Sequence, residues 1–167
     1  MMQKEICVGI VGANANNGWA KVAHVPAING LPGLKLAAVA TRNEHSAREA
    51  AEAFGAELWF SDPFAMIKDE RIDVITVCVK VPAHRRFVLA ALDAGKAVYC
   101  EAPLGRTVAE NEKMASAATS LHTAIGLQGR LNPAVRRAAQ LLPYCESCRW
   151  PRGRNPCWWA AQELARL

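Results

Sequence analysis

The sequence predicts an α/β protein with a doubly wound, mostly parallel sheet. Continuously apolar runs such as KLAAVA (residues 35–40) and DVITVCV (residues 73–79) recur along the chain, and helix-like segments separate them. Such runs are typical of strands that are buried on both faces, as in a parallel sheet covered by helices on both sides. Alternation of strands and helices gives right-handed crossovers, and these wind a sheet in both directions from its first strand.

The alternation extends from residue 5 to about residue 142. The predicted strands are Glu5–Gly12, Leu34–Thr41, a weaker one at Glu57–Phe60, Asp73–Val79, Ala97–Glu101 and Thr123–Gln128. The predicted helices are Gly18–Asn29, Glu44–Phe54, Pro63–Lys68, Pro82–Ala94, Val108–Ser120 and Asn132–Leu142. Pro82, Pro103 and Pro133 each follow a predicted strand, where proline is common. We therefore expect one domain at residues 1–142.

Residues 143–167 break this pattern and are expected to form an irregular tail, not a separate domain. They contain three of the five tryptophans, three of the six cysteines and three of the nine prolines, and only Trp158–Leu167 is typical of a short helix. Cys145-x-x-Cys148 lacks two further ligands at suitable spacing, so we expect no metal. So sharp a change in composition leaves open a tail translated out of frame.

Composition excludes several classes of protein. Hydrophobic residues make up 51% of the chain and charged residues 21%, as in ordinary globular proteins. No apolar run approaches the roughly 20 residues of a membrane span, and the first residues lack a signal peptide. We therefore expect a cytoplasmic protein without membrane contact. The net charge of +5 is spread along the chain, so we expect no direct nucleic-acid binding.

The segment GIVGANANNGWAKVAH (residues 9–24) indicates a dinucleotide-binding turn. Gly12 ends the first predicted strand and Gly18 begins the next helix, which allows a tight turn and close approach to a pyrophosphate. Asn14 occupies the position of the central glycine of G-x-G-x-x-G, and we expect it to adopt a positive φ. We expect these three residues to line one cleft with Arg42, and we count Trp19 as a further cofactor-binding candidate. A purely structural turn is the alternative.

The second predicted strand ends at AVATRN (residues 38–43), about thirty residues after the glycine turn, where a ribose-binding residue belongs. An acidic residue there favours a free 2′-hydroxyl, but this chain offers Thr41, Arg42 and Asn43. Arg42 can pair with a 2′-phosphate and cover the adenine, so we predict NADP with NAD as the alternative. We place Arg42 at the adenosine end of the cleft; a merely exposed arginine stays open.

Three further strand ends carry candidate residues, because ligands of open α/β sheets gather at the carboxyl ends of strands. Val79 and His84 would face the nicotinamide side, although a histidine without chemistry is an equal alternative for His84. Glu101 ends a buried strand, where an unpaired carboxylate is costly, so a site role is favoured. Glu101 and His84 are the catalytic candidates, and Gln128 is a further cofactor-binding candidate.

Several motifs together resemble the glucose–fructose oxidoreductase, inositol dehydrogenase and rhizopine-catabolism (Gfo/Idh/MocA) family. They are VGIVG, HVPAI, VPAH, CEAPLG and GLQGRLNP, and the resemblance covers residues 5 to about 142, the nucleotide-binding half of that family. NANNGWAKVAHVPAI and LQGRLNP look most similar to the branch containing the fungal galactose-regulon repressor, a non-catalytic member that binds dinucleotide.

The resemblance implies an NAD(P)-dependent oxidoreductase acting on CH–OH groups of sugars or polyols. Two departures bear on activity. Ala102 stands where the family's Glu-Lys-Pro motif has its lysine, and the chain has about half the family's length, so we expect a truncated chain that lacks the C-terminal α/β domain. That domain completes the active site and forms dimers, so oligomerisation stays open. We expect dinucleotide binding without catalysis. The alternatives are a non-catalytic regulator that resembles the galactose repressor and an inactive remnant.

Overall fold

The predicted fold class is confirmed by the computed structural model, which describes residues 5–141. The six strands are β1 (Ile6–Val11), β2 (Leu34–Ala40), β3 (Leu58–Phe60), β4 (Val74–Val77), β5 (Ala97–Glu101) and β6 (Thr123–Gly126). They form one sheet in the order β3-β2-β1-β4-β5-β6, and every neighbouring pair is parallel. The chain therefore adds β2 and β3 on one side of β1, and then crosses back to add β4, β5 and β6 on the other side of β1.

Six α-helices follow the strands. They are α1 (Val25–Gly30), α2 (Glu44–Phe54), α3 (Pro63–Lys68), α4 (His84–Asp93), α5 (Val108–Ala117) and α6 (Pro133–Leu141). A π-helical turn at Ala20–His24 precedes α1, and 3-10 turns occupy Val81–Ala83 and Gln128–Leu131. No helix in the described part of the chain is both long enough and apolar enough to cross a membrane.

The sheet separates two apolar clusters, as alternation along its strands requires. On β1, Val8 and Ile10 belong to one cluster together with α1, whereas Val11 belongs to the other, which includes α3 and α4. Gly9 lies between Val8 and Ile10 in the strand, and a Cβ on it would come within 3.3 Å of the Met66 side chain. The central strand is thus covered on both faces, which explains why its sequence is continuously apolar.

The chain forms two compact units, with residues up to Gly126 in the first and residues from Leu127 in the second. The first contains the sheet and helices α1–α5. Of the second, the structure describes residues 127–141, which form a 3-10 turn followed by α6. The predicted tail at 143–167, its short helix and Cys145-x-x-Cys148 lie outside the described residues. The predicted domain end at residue 142 therefore stays a prediction.

Candidate functional site

A cleft of about 800 Å³ lies where the carboxyl ends of β1, β2 and β4 meet. Its lining residues are Val11–Asn16, Ala40–Asn43, Ser46, Glu49, Ser61, Pro63, Phe64, Cys78–Lys80, Ala83, Arg86 and Phe87. Because the strand order reverses between β1 and β4, this is the switch point at which open α/β sheets bind ligands. All of the lining residues belong to the first unit.

Gly12 forms the floor of the turn after β1, as predicted. Its φ is +91°, and a Cβ would lie 2.7 Å from both the Cys78 carbonyl oxygen and Val79 Cγ1. The main chain cannot easily move away, since the Gly12 N–H donates to the Ala40 carbonyl at 2.8 Å and the Cys78 N–H donates to the Val11 carbonyl at 2.9 Å. The position therefore accepts only glycine, for its conformation and for its lack of a side chain.

Asn14 shapes the rest of the turn, but not in the expected way. The expectation of a positive φ was wrong, because only glycines have a positive φ among the described residues. The Asn14 side chain instead accepts hydrogen bonds from the backbone N–H groups of Asn16 (2.8 Å) and Asn17 (3.2 Å). This Asx turn closes the loop through side-chain hydrogen bonds, so the loop does not need a central glycine with a positive φ.

Gly18 and Trp19, both predicted to contact cofactor, lie outside the cleft lining, which corrects the expectation that Gly18 lines it. Gly18 has a φ of +94°, yet nothing lies within 4 Å of a Cβ built on it. Its role here is conformational: it directs the chain out of the long loop and into the π-helical turn. Trp19 is half exposed beside it.

Arg42 lies in the cleft wall, next to a well-capped helix. The Asn43 side chain accepts from the Ser46 N–H at 2.9 Å and so begins α2, while the Thr41 and Ser46 hydroxyls are 2.6 Å apart. Arg42 itself is exposed and makes no ion pair within residues 5–141. The predicted residues Thr41, Arg42 and Val79 therefore share the cleft with Gly12 and Asn14.

The cleft carries more positive than negative charge, which sequence reasoning did not predict. Lys80 and Arg86 line it together with Arg42, whereas the lining contains one carboxylate, Glu49. Glu49 accepts a hydrogen bond from the Asn16 side chain at 3.2 Å. The guanidinium carbon of Arg86, in the first turn of α4, lies 4.5 Å from the centre of the Phe87 ring. An excess of cations in a cleft favours an anionic ligand.

His84 is buried, with 1% of its surface exposed, and both ring nitrogens face main-chain carbonyls. Nε2 is 2.8 Å from the Val79 carbonyl oxygen, and Nδ1 is 3.1 Å from that of Pro103. His84 therefore connects the loop after β4 with the loop after β5 and is not in the cleft lining. This geometry favours the alternative given for it, a histidine without chemistry.

Glu101 is buried at the end of β5, where it pairs with the Nε2 atom of His24, the last residue of the π-helical turn. The Tyr99 ring packs edge-on against His24 at 5.2 Å. Cys78 lies beside both, since its sulfur and the His24 and Glu101 ligand atoms are all within 4.8 Å of one another. His24 was present in the motif HVPAI but received no role from the sequence, because nothing in the sequence brings it to Glu101.

Burial controls the titration of the groups around Glu101. Burial raises the pKa of the Cys78 thiol well above its ordinary value, and the Glu101 charge raises it further. The same two causes raise the pKa of Cys100 to about 12. Burial also raises the pKa of Tyr99. At neutral pH these thiols and the phenol are therefore protonated, so neither cysteine is an activated nucleophile.

Ala102 and Gln128 complete the predicted positions. Ala102 is exposed in the loop after β5, and its methyl group offers neither charge nor proton. Gln128 begins the 3-10 turn of the second unit, so its contact with a cofactor stays a prediction.

The fold, the switch-point cleft and the glycine turn define a nucleotide-binding domain of the Rossmann type. A family model described as "Oxidoreductase family, NAD-binding Rossmann fold" matches residues 6–128. The chain belongs to this Gfo/Idh/MocA oxidoreductase family, whose cofactors are NAD or NADP, as the sequence motifs predicted.

Relatives of this chain include enzymes and a regulator. It is 32% identical to an inositol 2-dehydrogenase from Rubrobacter xylanophilus, over 81% of this chain and 40% of that protein. The 3-ketoreductase KijD10 from Actinomadura kijaniata, solved with NADP and TDP-benzene, has a TM-score of 0.73 at 25% identity, covering 84% of this chain and 43% of that one. The transcriptional regulator Gal80p from Kluyveromyces lactis has a TM-score of 0.74 at 27% identity, covering 84% of this chain and 37% of that one. The chain thus spans less than half the length of these relatives.

Proposed function

We propose that this chain binds a dinucleotide in the switch-point cleft, prefers NADP(H) over NAD(H), and transfers no hydride by itself. The observation that carries the proposal is the cleft itself, in which the glycine turn after β1 faces the cation-bearing end of β2. Gly12 lets the backbone approach a pyrophosphate closely, and the Asn14 side chain lies in the lining of the same cleft.

The preference for NADP rests on Arg42. A guanidinium without an ion-pair partner in the described chain can form charge-assisted hydrogen bonds with a 2′-phosphate, and none of the three residues directly after β2 is an acid that would favour a free hydroxyl. Lys80 and Arg86 make the cleft more favourable for the additional negative charge. The 3-ketoreductase solved with NADP is an example of this fold holding the phosphorylated cofactor.

The lack of turnover rests on Ala102. In the family, a lysine at this position assists hydride transfer, and losing one preorganised group of that kind typically costs about 10²–10³ in rate.

A dinucleotide-binding regulator is the second candidate, favoured by the same alanine and by the likeness to Gal80p. Several enzymes similar to this chain are named as inositol dehydrogenases, and we propose a sugar-like small molecule as the substrate class of a whole family enzyme that contains such a chain. The cytoplasmic location stays a prediction.

Calorimetric titration of the chain with NADPH and with NADH tests the cofactor proposal. Replacing Arg42 with alanine should weaken NADPH binding by roughly 10- to 100-fold, since a charge-assisted pair contributes about 1.5–3 kcal/mol, and should change NADH binding little. Arg48→Ala is the matched control, because Arg48 pairs with Glu44 on α2 and lies outside the cleft. Equal binding of the two cofactors, unchanged by Arg42→Ala, would show that the 2′-phosphate role is wrong.

An NADPH absorbance assay with a panel of sugars, polyols and amino-sugar derivatives tests the lack of turnover. We expect none, and Ala102→Lys alone should not restore it, because the chain spans about 40% of the length of the inositol dehydrogenase and we propose that groups which position the substrate lie in the other part of that enzyme. Turnover by the unmodified chain would refute this part of the proposal and leave the binding part intact.

A further inference from the structure

The His24–Cys78–Glu101 cluster lies beside the proposed dinucleotide cleft, and of its three residues Cys78 also lines that cleft. Its three side chains come from three separate places in the fold: the end of the π-helical turn, the residue after β4 and the end of β5. All three are half-buried or buried, and their ligand atoms lie within 4.8 Å of one another. Each offers a different donor atom: an imidazole nitrogen, a thiol sulfur and a carboxylate oxygen.

This donor set matches the coordination chemistry of zinc-class cations. Zn²⁺ binds cysteine sulfur at about 2.3 Å and histidine nitrogen or carboxylate oxygen at about 2.0–2.2 Å, usually with tetrahedral geometry. Tetrahedral bonds of those lengths put neighbouring ligand atoms roughly 3.3–3.7 Å apart. In the cluster, His24 and Glu101 are closer than this because they bond to each other. Binding an ion therefore requires the two side chains to move apart, so that each can face the metal.

The surroundings favour such an ion. The T-shaped contact with Tyr99 orients the His24 ring, and Glu101 is fixed by its place in the sheet between β4 and β6. Cys78 lies in the wall of the cleft, so a ligand can reach the cluster from there. Three protein ligands leave one tetrahedral position for water or another small ligand, which is the arrangement of exchangeable zinc sites.

We propose that His24, Cys78 and Glu101 form a binding site for one divalent transition-metal ion of the zinc class at the edge of the dinucleotide cleft. The sequence alone predicts no metal, because these residues are far apart in the chain and match no ligand spacing. The fold brings them together through the pairing of β4 with both β1 and β5.

Cobalt(II) titration of the full-length chain tests the proposal, since Co²⁺ substitutes for Zn²⁺ and a thiolate ligand gives a charge-transfer absorption band. The titration uses the chain with Cys145, Cys148 and Cys157 replaced by serine, so that these cysteines contribute no signal. Because coordination displaces the proton of the Cys78 thiol into solvent, we expect one equivalent of Co²⁺ to bind with a thiolate band and with release of a proton, and Zn²⁺ to displace it.

Further substitutions in that background assign the site. Cys78→Ala should abolish the thiolate band, and His24→Gln should weaken Co²⁺ binding at least 10-fold. Cys7→Ala is the matched control, because Cys7 is also half-buried in a strand but outside the cluster, and should leave the titration unchanged. Circular dichroism checks that each variant is folded. Absence of a thiolate band in the parent, or its persistence in folded Cys78→Ala, would overturn the proposal and leave a hydrogen-bonded His24–Glu101 pair only.

Discussion

Replacing Gly12 with alanine tests the geometry on which the cofactor site depends. The new methyl group would lie 2.7 Å from the Cys78 carbonyl oxygen and from Val79 Cγ1. One of these contacts is with main chain, and that main chain is held by the hydrogen bond between β4 and β1. The side chain can move, but the carbonyl cannot do so without loosening the sheet.

The magnitude follows from three contributions. A positive φ destabilises an alanine by about 1–2 kcal/mol, and overpacking against fixed neighbours destabilises the fold by about 1–3 kcal/mol. In the opposite direction, the reduced conformational freedom of the unfolded chain stabilises the variant by about 0.4–1 kcal/mol. We therefore expect Gly12→Ala to lower the free energy of unfolding by about 2–4 kcal/mol. For a chain of this size that corresponds to a fall in Tm of roughly 5–15 °C.

Urea denaturation followed by circular dichroism measures the change, with Gly55→Ala as the matched control. Gly55 ends α2 with a φ of +74°, but nothing lies within 4 Å of a Cβ built there. The control therefore shares the conformational cost without the collision. If the two variants differ by less than about 0.5 kcal/mol, the range of ordinary surface substitutions, the close approach at Gly12 is not what fixes the turn.

Three further predictions concern stability. His84→Leu should destabilise the protein by about 1–3 kcal/mol in urea denaturation, because it removes the imidazole hydrogen bonding between the loops after β4 and β5; an unchanged stability would contradict the connecting role. Asn43→Ala should cost about 1 kcal/mol through loss of the α2 cap, and no loss would show that the cap is redundant. Hydrogen bonds from Arg71 lower the pKa of Asp69 to about 2, so the stability from this pair is present above pH 4 and is lost as the pH falls toward 2. Denaturation midpoints between pH 2 and pH 6 should therefore depend less on pH in Arg71→Gln, and identical profiles would refute this.

The strands of the sheet were predictable because a strand that is buried on both faces consists almost entirely of apolar residues. The predicted strands at β4 and β6 nevertheless ended two residues too late, at Val79 and Gln128, because apolar residues continue past the end of each strand into the loop. Those loop residues after β4 line the cleft. The residues of the glycine turn and Arg42 were predictable for a similar reason, since their position after a strand determines their place in the sheet.

Other features depend on tertiary contacts that have no local pattern. The conformation of Asn14 was mispredicted because its side chain can satisfy the turn through hydrogen bonds as well as through a positive φ. The pairing of His24 with Glu101 requires a π-helical turn and a sheet register, and neither follows from hydrophobic periodicity.

The pairing of β1 with β4 also governs when the cofactor site can exist during folding. The β1–β4 pairing places Val11 opposite Val77. The long segment that contains β2 and β3 must therefore close into a loop before Cys78 can pack against the Gly12 turn. On the ribosome, β1 and β2 emerge well before β4, and the nascent chain has no complete cleft until then. A dinucleotide therefore binds the folded chain alone and stabilises it by mass action, by about 2.7 kcal/mol at a concentration one hundred times its Kd.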